Sequence, residues 1–106
     1  MNSRSELYAN TPGPWKVDYE IFEQWRINSE GGMLIARTEG WREPEQELAN
    51  AVLIAAAPEL LKACEDMVIY LDSLYAVGYP CGKEEQRLHS WMKAAIVKAK
   101  YTEHTP

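Results

Sequence analysis

The spacing of the apolar residues changes once along the chain, and this change limits the possible folds more than any other feature. Up to residue 38 the apolar side chains largely alternate with polar ones, which is the period of a half-buried β-strand. From Leu48 onward they recur every three or four residues, which is the period of an amphipathic helix. Strands followed by helices predict an α+β fold in two layers, a three-stranded antiparallel sheet and then a long kinked helix and a C-terminal helix.

Three segments have the composition of strands. Residues 15–19, 25–28 and 33–38 are rich in aromatic and branched side chains, and residues 29–32, with the sequence SEGG, are typical of a hairpin turn. The stretch 20–24 is compatible with an extension of either neighbouring strand or with a loop. The sequence therefore predicts a small antiparallel meander.

The helical part is divided by proline and glycine. Pro44 suits the first turn of a helix, where its missing N–H costs nothing. Pro58 lies inside the helical pattern and predicts a kink, or two abutting helices with Pro58 at the start of the second. Residues 78–82 are a break, and a last helix is predicted from about 83 to 100. The predicted buried stripes are Leu53, Ala57, Leu60, Cys64, Met67, Leu71 and Leu74 in the first region, and Leu88, Met92, Ala95 and Ala99 in the last helix.

Composition sets the class of protein. The chain has 106 residues, 46% of them apolar and 25% charged, which fits one folded domain over residues 11–101 with a flexible leader (1–10) and a tail (102–106). The net charge of −5 argues against a nucleic-acid partner, because such partners call for a basic surface. The apolar run 51–57 is too short to span a bilayer, so no membrane partner is predicted.

The two cysteines leave two alternatives. Cys64 and Cys81 have no metal-binding spacing. One alternative is a disulfide between them, and the other is two reduced thiols. The polar first residues do not resemble a secretory signal, which favours reduced thiols and the bacterial cytosol as the location.

Two phrases carry a resemblance to known proteins. The sequences TPGPW at 11–15 and ANAVLIAAAPELL at 49–61 resemble those of a set of small phage and prophage proteins. The shorter phrases WRI, IA and AIVKA, which begin at residues 25, 35 and 95, occur in the same order as in that family. Asn10 stands where the family often has His, and Val52 where it often has Arg.

The resemblance implies a phage or prophage origin and a similar fold. Small phage proteins of this size often neutralise host defence, either by blocking a host protein or by sequestering a nucleotide signal. That expectation belongs to the class of protein and not to particular residues of this chain.

The aromatic residues provide the best indication of a small-molecule site. The chain has four tryptophans and six tyrosines but one phenylalanine. A tryptophan beside an arginine can stack a base and pair with a phosphate. The alternative is that each tryptophan fills the core or a subunit interface. The predicted ligand-binding residues are Trp41, Arg42, Arg37, Arg26, Trp15 and Asn50.

These candidates differ in how well a structural role explains them. Trp41 and Arg42, in the loop between sheet and helix, are the least needed for a core. Trp15 is better explained as an indole packed on the alanine-rich helix, where the stiff 11–14 turn would place it. Asn50 is better explained as a partner for a backbone group at the sheet–helix junction.

No catalytic or metal-binding residue is predicted. Glu85 and His89 share a helix face, yet their spacing is also that of an ordinary solvated pair. No nucleophile context, phosphate-binding glycine loop or paired-carboxylate motif stands out, so we expect a non-enzyme without a cofactor.

Self-association is predicted from surplus apolar helix surface. Ile69 and Tyr70 lie outside the predicted stripe, and three strands leave part of that stripe uncovered. The stripe is compatible with a core face or with a coiled-coil seam. We predict a homo-oligomer, with a dimer as the expected form.

Together these observations predict a phage accessory protein that binds and sequesters a nucleotide-type signal of host antiviral defence without catalysis. The alternatives are a protein-binding inhibitor of a host defence factor and a structural or assembly role within the phage.

Overall fold

A computed structural model describes residues 10–20, 24–39 and 43–100. Within them three strands precede three helices, which confirms the predicted α+β fold. The strands are β1 (Trp15–Tyr19), β2 (Trp25–Ser29) and β3 (Leu34–Arg37), and the helices are α1 (Pro44–Ala55), α2 (Ala57–Ala76) and α3 (Lys83–Lys100). None of these helices is both long and apolar enough to cross a membrane.

The three strands form an antiparallel meander in the order β1-β2-β3. Val17 lies opposite Ile27, and Ile27 lies opposite Ala36. A β-bulge follows, because Asn28 pairs with Leu34 and Ile35 is the extra residue. The predicted turn closes the β2–β3 hairpin, where Gly32 adopts a φ of +91°.

One face of the sheet is covered by α1 and the other is polar. The register places Trp15, Val17 and Ile27 on one face, because alternate residues of a strand point to opposite sides. Helix α1 packs against β1 and β2. Ile27 and Ala51 are fully buried, and we assign this face to the core between sheet and helix.

The chain turns between α1 and α2 at Ala56. The Ala56 N–H still donates to the carbonyl oxygens of Val52 (3.1 Å) and Leu53 (3.2 Å). Pro58, the second residue of α2, has no N–H to continue the α1 ladder. Of the two predicted arrangements, two abutting helices with Pro58 at the start of the second is the one observed.

The TPGPW turn packs against the start of α2. A Cβ added to Gly13 would lie 2.7 Å from the Pro58 Cβ, so only glycine fits at this position without a shift. The Trp15 indole Nε1 donates to the Thr11 carbonyl oxygen at 3.2 Å. This bond closes the turn on itself and favours the structural explanation of Trp15.

The described chain falls into two compact units. One unit is Thr11–Leu60, and the other holds residues 61–100. The prediction of a single domain over 11–101 stays a prediction. In the second unit, α2 ends at Ala76, and Gly78, two residues later, has a φ of +83°. The N–H groups of Gly78 and Tyr79 donate to the Tyr75 and Leu74 carbonyls, both at 3.0 Å, which is a Schellman motif.

Helix α3 begins with a capping arrangement. Glu85 accepts the Gly82 N–H at 3.1 Å through Oε1, and the Gln86 N–H donates to the Gly82 carbonyl oxygen at 3.1 Å. Lys98 and Lys100 lie in the last turn of this helix, where the helix dipole favours cations. The predicted start of the last helix at Lys83 is confirmed.

The predicted apolar stripes are confirmed in part. Cys64, Leu71, Leu74 and Met92 are half-buried, as is Ala57. The other predicted members are exposed, namely Leu53, Leu60 and Met67 of the first stripe and Leu88, Ala95 and Ala99 of the last helix. The first stripe was counted through Ala56, where the helix ends and its phase is lost. The half-buried residues of the second unit that the stripes did not include are Leu61, Glu65, Val68 and Tyr75, with Cys81, His89 and Ile96.

Ile27→Ala tests the position of the core. Ile27 is 0% exposed, so its truncation should lower the free energy of unfolding by about 2–5 kcal/mol. Ile69→Ala is the matched control, because Ile69 is 63% exposed and should change that energy by no more than about 0.5 kcal/mol. Urea unfolding at one protein concentration measures both, and equal losses would place the core elsewhere.

Candidate functional site

The strongest candidate site is the face of the sheet that α1 does not cover. We call it the polar face and define it by Lys16, Asp18, Arg26, Asn28 and Arg37, which the strand register places on one side together with Leu34, and by Glu20, which contacts both arginines. Three of its side chains are cationic and two are anionic. Two of the predicted ligand-binding residues, Arg26 and Arg37, are therefore neighbours here.

Glu20 lies between the two arginines. Its Oε1 accepts a hydrogen bond from Arg37 Nη2 at 3.3 Å and lies 3.7 Å from Arg26 Nη1. Its Oε2 lies 2.7 Å from Arg37 Nε, close in distance but without the alignment of a hydrogen bond. One carboxylate thus serves two guanidinium groups.

The positive charge of Arg26 and Arg37 is only partly neutralised, which favours the binding of another anion. Arg26 and Arg37 lie directly opposite each other in the β2–β3 ladder, where like charges destabilise a sheet. Glu20 offsets one of the two charges. Arg26 Nε is buried and has no hydrogen-bond acceptor within the described part of the chain. The guanidinium heads remain accessible, since the side chains are 37% and 44% exposed.

A hydrogen bond between an amide and a carboxylate borders the arginines. Asn28 Nδ2 donates to Asp18 Oδ2 at 2.8 Å, and Asn28 Oδ1 is buried without a hydrogen-bond partner among the described residues. The face therefore offers guanidinium donors beside an amide acceptor. Such an arrangement suits an anion with planar or tetrahedral oxygens, such as a phosphate, that also carries a hydrogen-bond donor.

The other predicted ligand-binding residues are not brought to this face. Trp15 lies on the opposite face, because its register position alternates with those of Lys16 and Asp18. Asn50 is exposed on α1, and no described backbone group holds its side chain. Trp41 and Arg42 lie outside the described residues.

Sequence reasoning missed Glu20 and Glu47. Glu20 falls in the stretch left open between strand and loop, and strand alternation from Asp18 would have placed it beside Arg26. Glu47 is the one buried charged side chain among the described residues, at 7% exposure. It lies in the first turn of α1, where the helix dipole favours a carboxylate. Its place shortly after Pro44 is a signal for the dipole interaction, but no sequence signal indicates its burial.

A second polar cluster joins α2 to α3. His89 Nε2 lies 2.9 Å from Asp72 Oδ1, and the His89 ring meets the Tyr75 ring edge-on at a centroid distance of 5.1 Å. Glu85 is occupied by the Gly82 N–H, so the Glu85–His89 pair considered from the sequence takes separate partners.

Tyr75 has a raised pKa in this cluster. Burial raises the pKa of the Tyr75 hydroxyl, and Cys81 and the carboxylates of Glu85 and Asp72 raise it further. Its hydroxyl oxygen lies beside Cys81 without the geometry of a hydrogen bond. We interpret the cluster as a polar contact that holds α2 against α3.

The described residues show no metal site. No group of three or more His, Cys, Asp or Glu side chains in them has the arrangement of a metal centre. Cys64 and Cys81 are both free and half-buried.

Comparison with known proteins identifies the family. A family model described as Salmonella phage P22 protein Y8K6 matches residues 1–103. The chain belongs to this family. Its phage association agrees with the resemblance noted in the sequence. No curated protein and no solved structure matches the chain.

Tyr75→Phe should reduce the loss of stability at alkaline pH. The unfolded hydroxyl loses its proton at the ordinary pKa of about 10, whereas the folded one keeps it to higher pH. The unfolded state therefore binds fewer protons above pH 10, and stability falls as pH rises. Unfolding measured from neutral pH to about pH 11 should show a shallower fall for Tyr75→Phe than for the wild type.

Tyr79→Phe is the control for that experiment, since it removes an exposed hydroxyl near the same end of the helix pair. Identical alkaline slopes for the wild type and Tyr75→Phe would show that the Tyr75 hydroxyl has no part in this pH dependence.

Proposed function

We propose that this phage protein is a non-catalytic accessory factor that binds and sequesters a small nucleotide-type signal of host antiviral defence. The observation that carries the proposal is the pair of opposed guanidinium groups, Arg26 and Arg37, that share the single carboxylate of Glu20. A phosphate bound at the polar face would neutralise the remaining positive charge and accept from the buried Arg26 Nε.

Family membership supports the phage setting of this proposal, and the polar face supports the anionic part of the ligand. The base would be recognised separately. Trp41 is the candidate for stacking, because it lies only four residues after Arg37 in the sequence.

Calorimetric titration with a panel of cyclic and linear nucleotides tests the proposal. The wild type should bind at least one of them, with an affinity that falls as salt is added. Arg26→Gln and Arg37→Gln should each weaken that binding by about 10- to 150-fold, since a charge-assisted hydrogen bond contributes about 1.5–3 kcal/mol. Trp41→Ala should lose about 1–3 kcal/mol if the indole stacks on the base.

Arg87→Gln is the matched control. Arg87 lies on α3, where it pairs with Glu84 and covers the Trp91 ring at 4.9 Å, so its loss should leave nucleotide affinity unchanged. Ion pairs as exposed as those of Arg26 and Arg37 contribute about 0–1 kcal/mol to stability, so these variants should remain folded.

The bound nucleotide distinguishes sequestration from catalysis. A sequestering protein should release the same nucleotide, chemically unchanged, when it is unfolded. Release of a converted product would contradict the non-catalytic proposal. Absence of binding to every nucleotide in the panel, or an equal loss in Arg87→Gln, would contradict the assignment of the polar face.

A protein that binds no nucleotide would favour the second candidate, an inhibitor that binds a host defence protein. The acidic net charge of −5 and the exposed apolar side chains of α2 and α3 are the observations that favour it. Such a protein should retain one host protein in a pull-down, and that complex should not depend on Arg26.

A further inference from the structure

The two arginines of the polar face are held unequally by Glu20. The Glu20 Oε2 lies 2.7 Å from Arg37 Nε, and Oε1 accepts from Arg37 Nη2 at 3.3 Å, so both carboxylate oxygens face the Arg37 guanidinium. The contact with Arg26 is longer, 3.7 Å from Nη1 to Oε1, which is outside the range of a hydrogen bond. Glu20 therefore neutralises Arg37 more than it neutralises Arg26.

The other carboxylate near Arg26 is engaged elsewhere. Asp18 lies opposite Arg26 in the β1–β2 ladder, but its Oδ2 accepts from Asn28 Nδ2 at 2.8 Å. Arg26 Nε is buried and has no acceptor within the described part of the chain. Arg26 is therefore the guanidinium of this face that is available to an added anion.

The cluster of Glu20, Arg26 and Arg37 has one net positive charge. The attraction of a bound anion to this charge grows in proportion to the charge of the anion. The cost of removing the anion from water grows with about the square of its charge, as in the Born treatment of ion solvation. A doubly charged anion therefore loses more hydration than one positive charge restores, and the cluster is matched to a singly charged one.

The phosphate groups of nucleotides differ in this property. A phosphodiester has one negative charge, whereas a terminal phosphate monoester has nearly two above its second pKa of about 6. Both forms present oxygens that a guanidinium group can bind. The charge of the cluster, and not its hydrogen-bonding geometry, is therefore what separates the two forms.

We propose that Glu20 makes the polar face selective for phosphodiesters over terminal phosphates, by holding Arg37 and leaving one positive charge, centred on Arg26, for the ligand. This inference rests on the proposed function and specifies which kind of nucleotide phosphate binds. Arg26 contacts the ligand directly, and Arg37 acts through Glu20 as a positioning residue. The ligand class is a nucleotide whose phosphates are all in diester linkage.

Glu20→Gln tests the proposal in a calorimetric titration at about pH 8. The probes are adenosine 3′,5′-cyclic monophosphate and adenosine 5′-monophosphate, and the same pair for each of the other RNA bases, so that the members of a pair differ in phosphate charge. The wild type should bind the cyclic member more tightly. Glu20→Gln leaves two positive charges in the cluster and should raise the affinity for the 5′-monophosphate, relative to the cyclic member, by about 10-fold or more.

Two further variants separate the charge of Glu20 from a structural role. The double variant Glu20→Gln with Arg37→Gln returns the cluster to one positive charge on Arg26, so it should restore the wild-type ratio of the two affinities. A distortion of the sheet at position 20 would not be corrected in this way. Glu30→Gln is the matched control, because Glu30 is exposed in the β2–β3 turn, four residues or about 13 Å along the strand from Arg26. Its loss should leave the ratio unchanged, since charges at that distance are largely screened.

An unchanged ratio in Glu20→Gln would overturn this inference but not the proposed function, because nucleotides can bind through Arg26 without such selectivity. Tighter binding of the 5′-monophosphates by the wild type would overturn it too, as would a double variant that keeps the ratio of Glu20→Gln or an equal shift in Glu30→Gln. Absence of binding by all of these compounds, to the wild type and to Glu20→Gln, would also overturn it, whatever other nucleotides bind. Circular dichroism checks that each variant is folded, as expected for the loss of a partly exposed ion pair.

Discussion

Gly13 lies so close to Pro58 that a side chain at position 13 would bring two Cβ atoms within 2.7 Å of each other. This close approach brings the turn before β1 against the start of α2. Helix α1, which lies between these two segments in the sequence, packs on the sheet. The Trp15–Thr11 hydrogen bond holds the turn in shape. The two phrases that carry the family resemblance, TPGPW and AAAPELL, thus meet at one contact, and the Thr11–Leu60 unit depends on it.

The packing of α1 on the sheet determines which face of the sheet is available for function. Because α1 covers the face that holds Ile27, the alternate residues of β1, β2 and β3 are presented on the polar face. Arg26 and Arg37 are opposed there as a consequence of register, and Glu20 keeps them compatible with a folded sheet. In the second unit, the contacts of Lys100 with Glu65 and of His89 with Asp72 join α2 to α3.

Local spacing predicted much of this structure. The alternation of apolar and polar residues located the three strands, and Pro44 and Pro58 located the starts of two helices. The break at 78–82 located the connection before the last helix. The buried stripe was predicted only in part, with Leu53, Leu60 and Met67 exposed, because a helical phase cannot be counted through the end of a helix at Ala56. The candidate site was predicted only in part, since the pairing of Arg26 with Arg37 depends on the register between strands, which a bulge shifts. Trp15 was grouped with these arginines although strand alternation places it on the other face.

The double-mutant cycle between Gly13→Ala and Pro58→Gly tests the central contact most directly. In the wild-type background, Gly13→Ala should lower the free energy of unfolding by about 1–3 kcal/mol, because the added methyl group overpacks the contact. In the Pro58→Gly background, where the clashing Cβ and Cγ are absent, the same substitution should cost little, which gives a coupling of about 1 kcal/mol or more. An equal cost in both backgrounds would contradict the account, since it would mean that Gly13 is required for a reason other than its approach to Pro58.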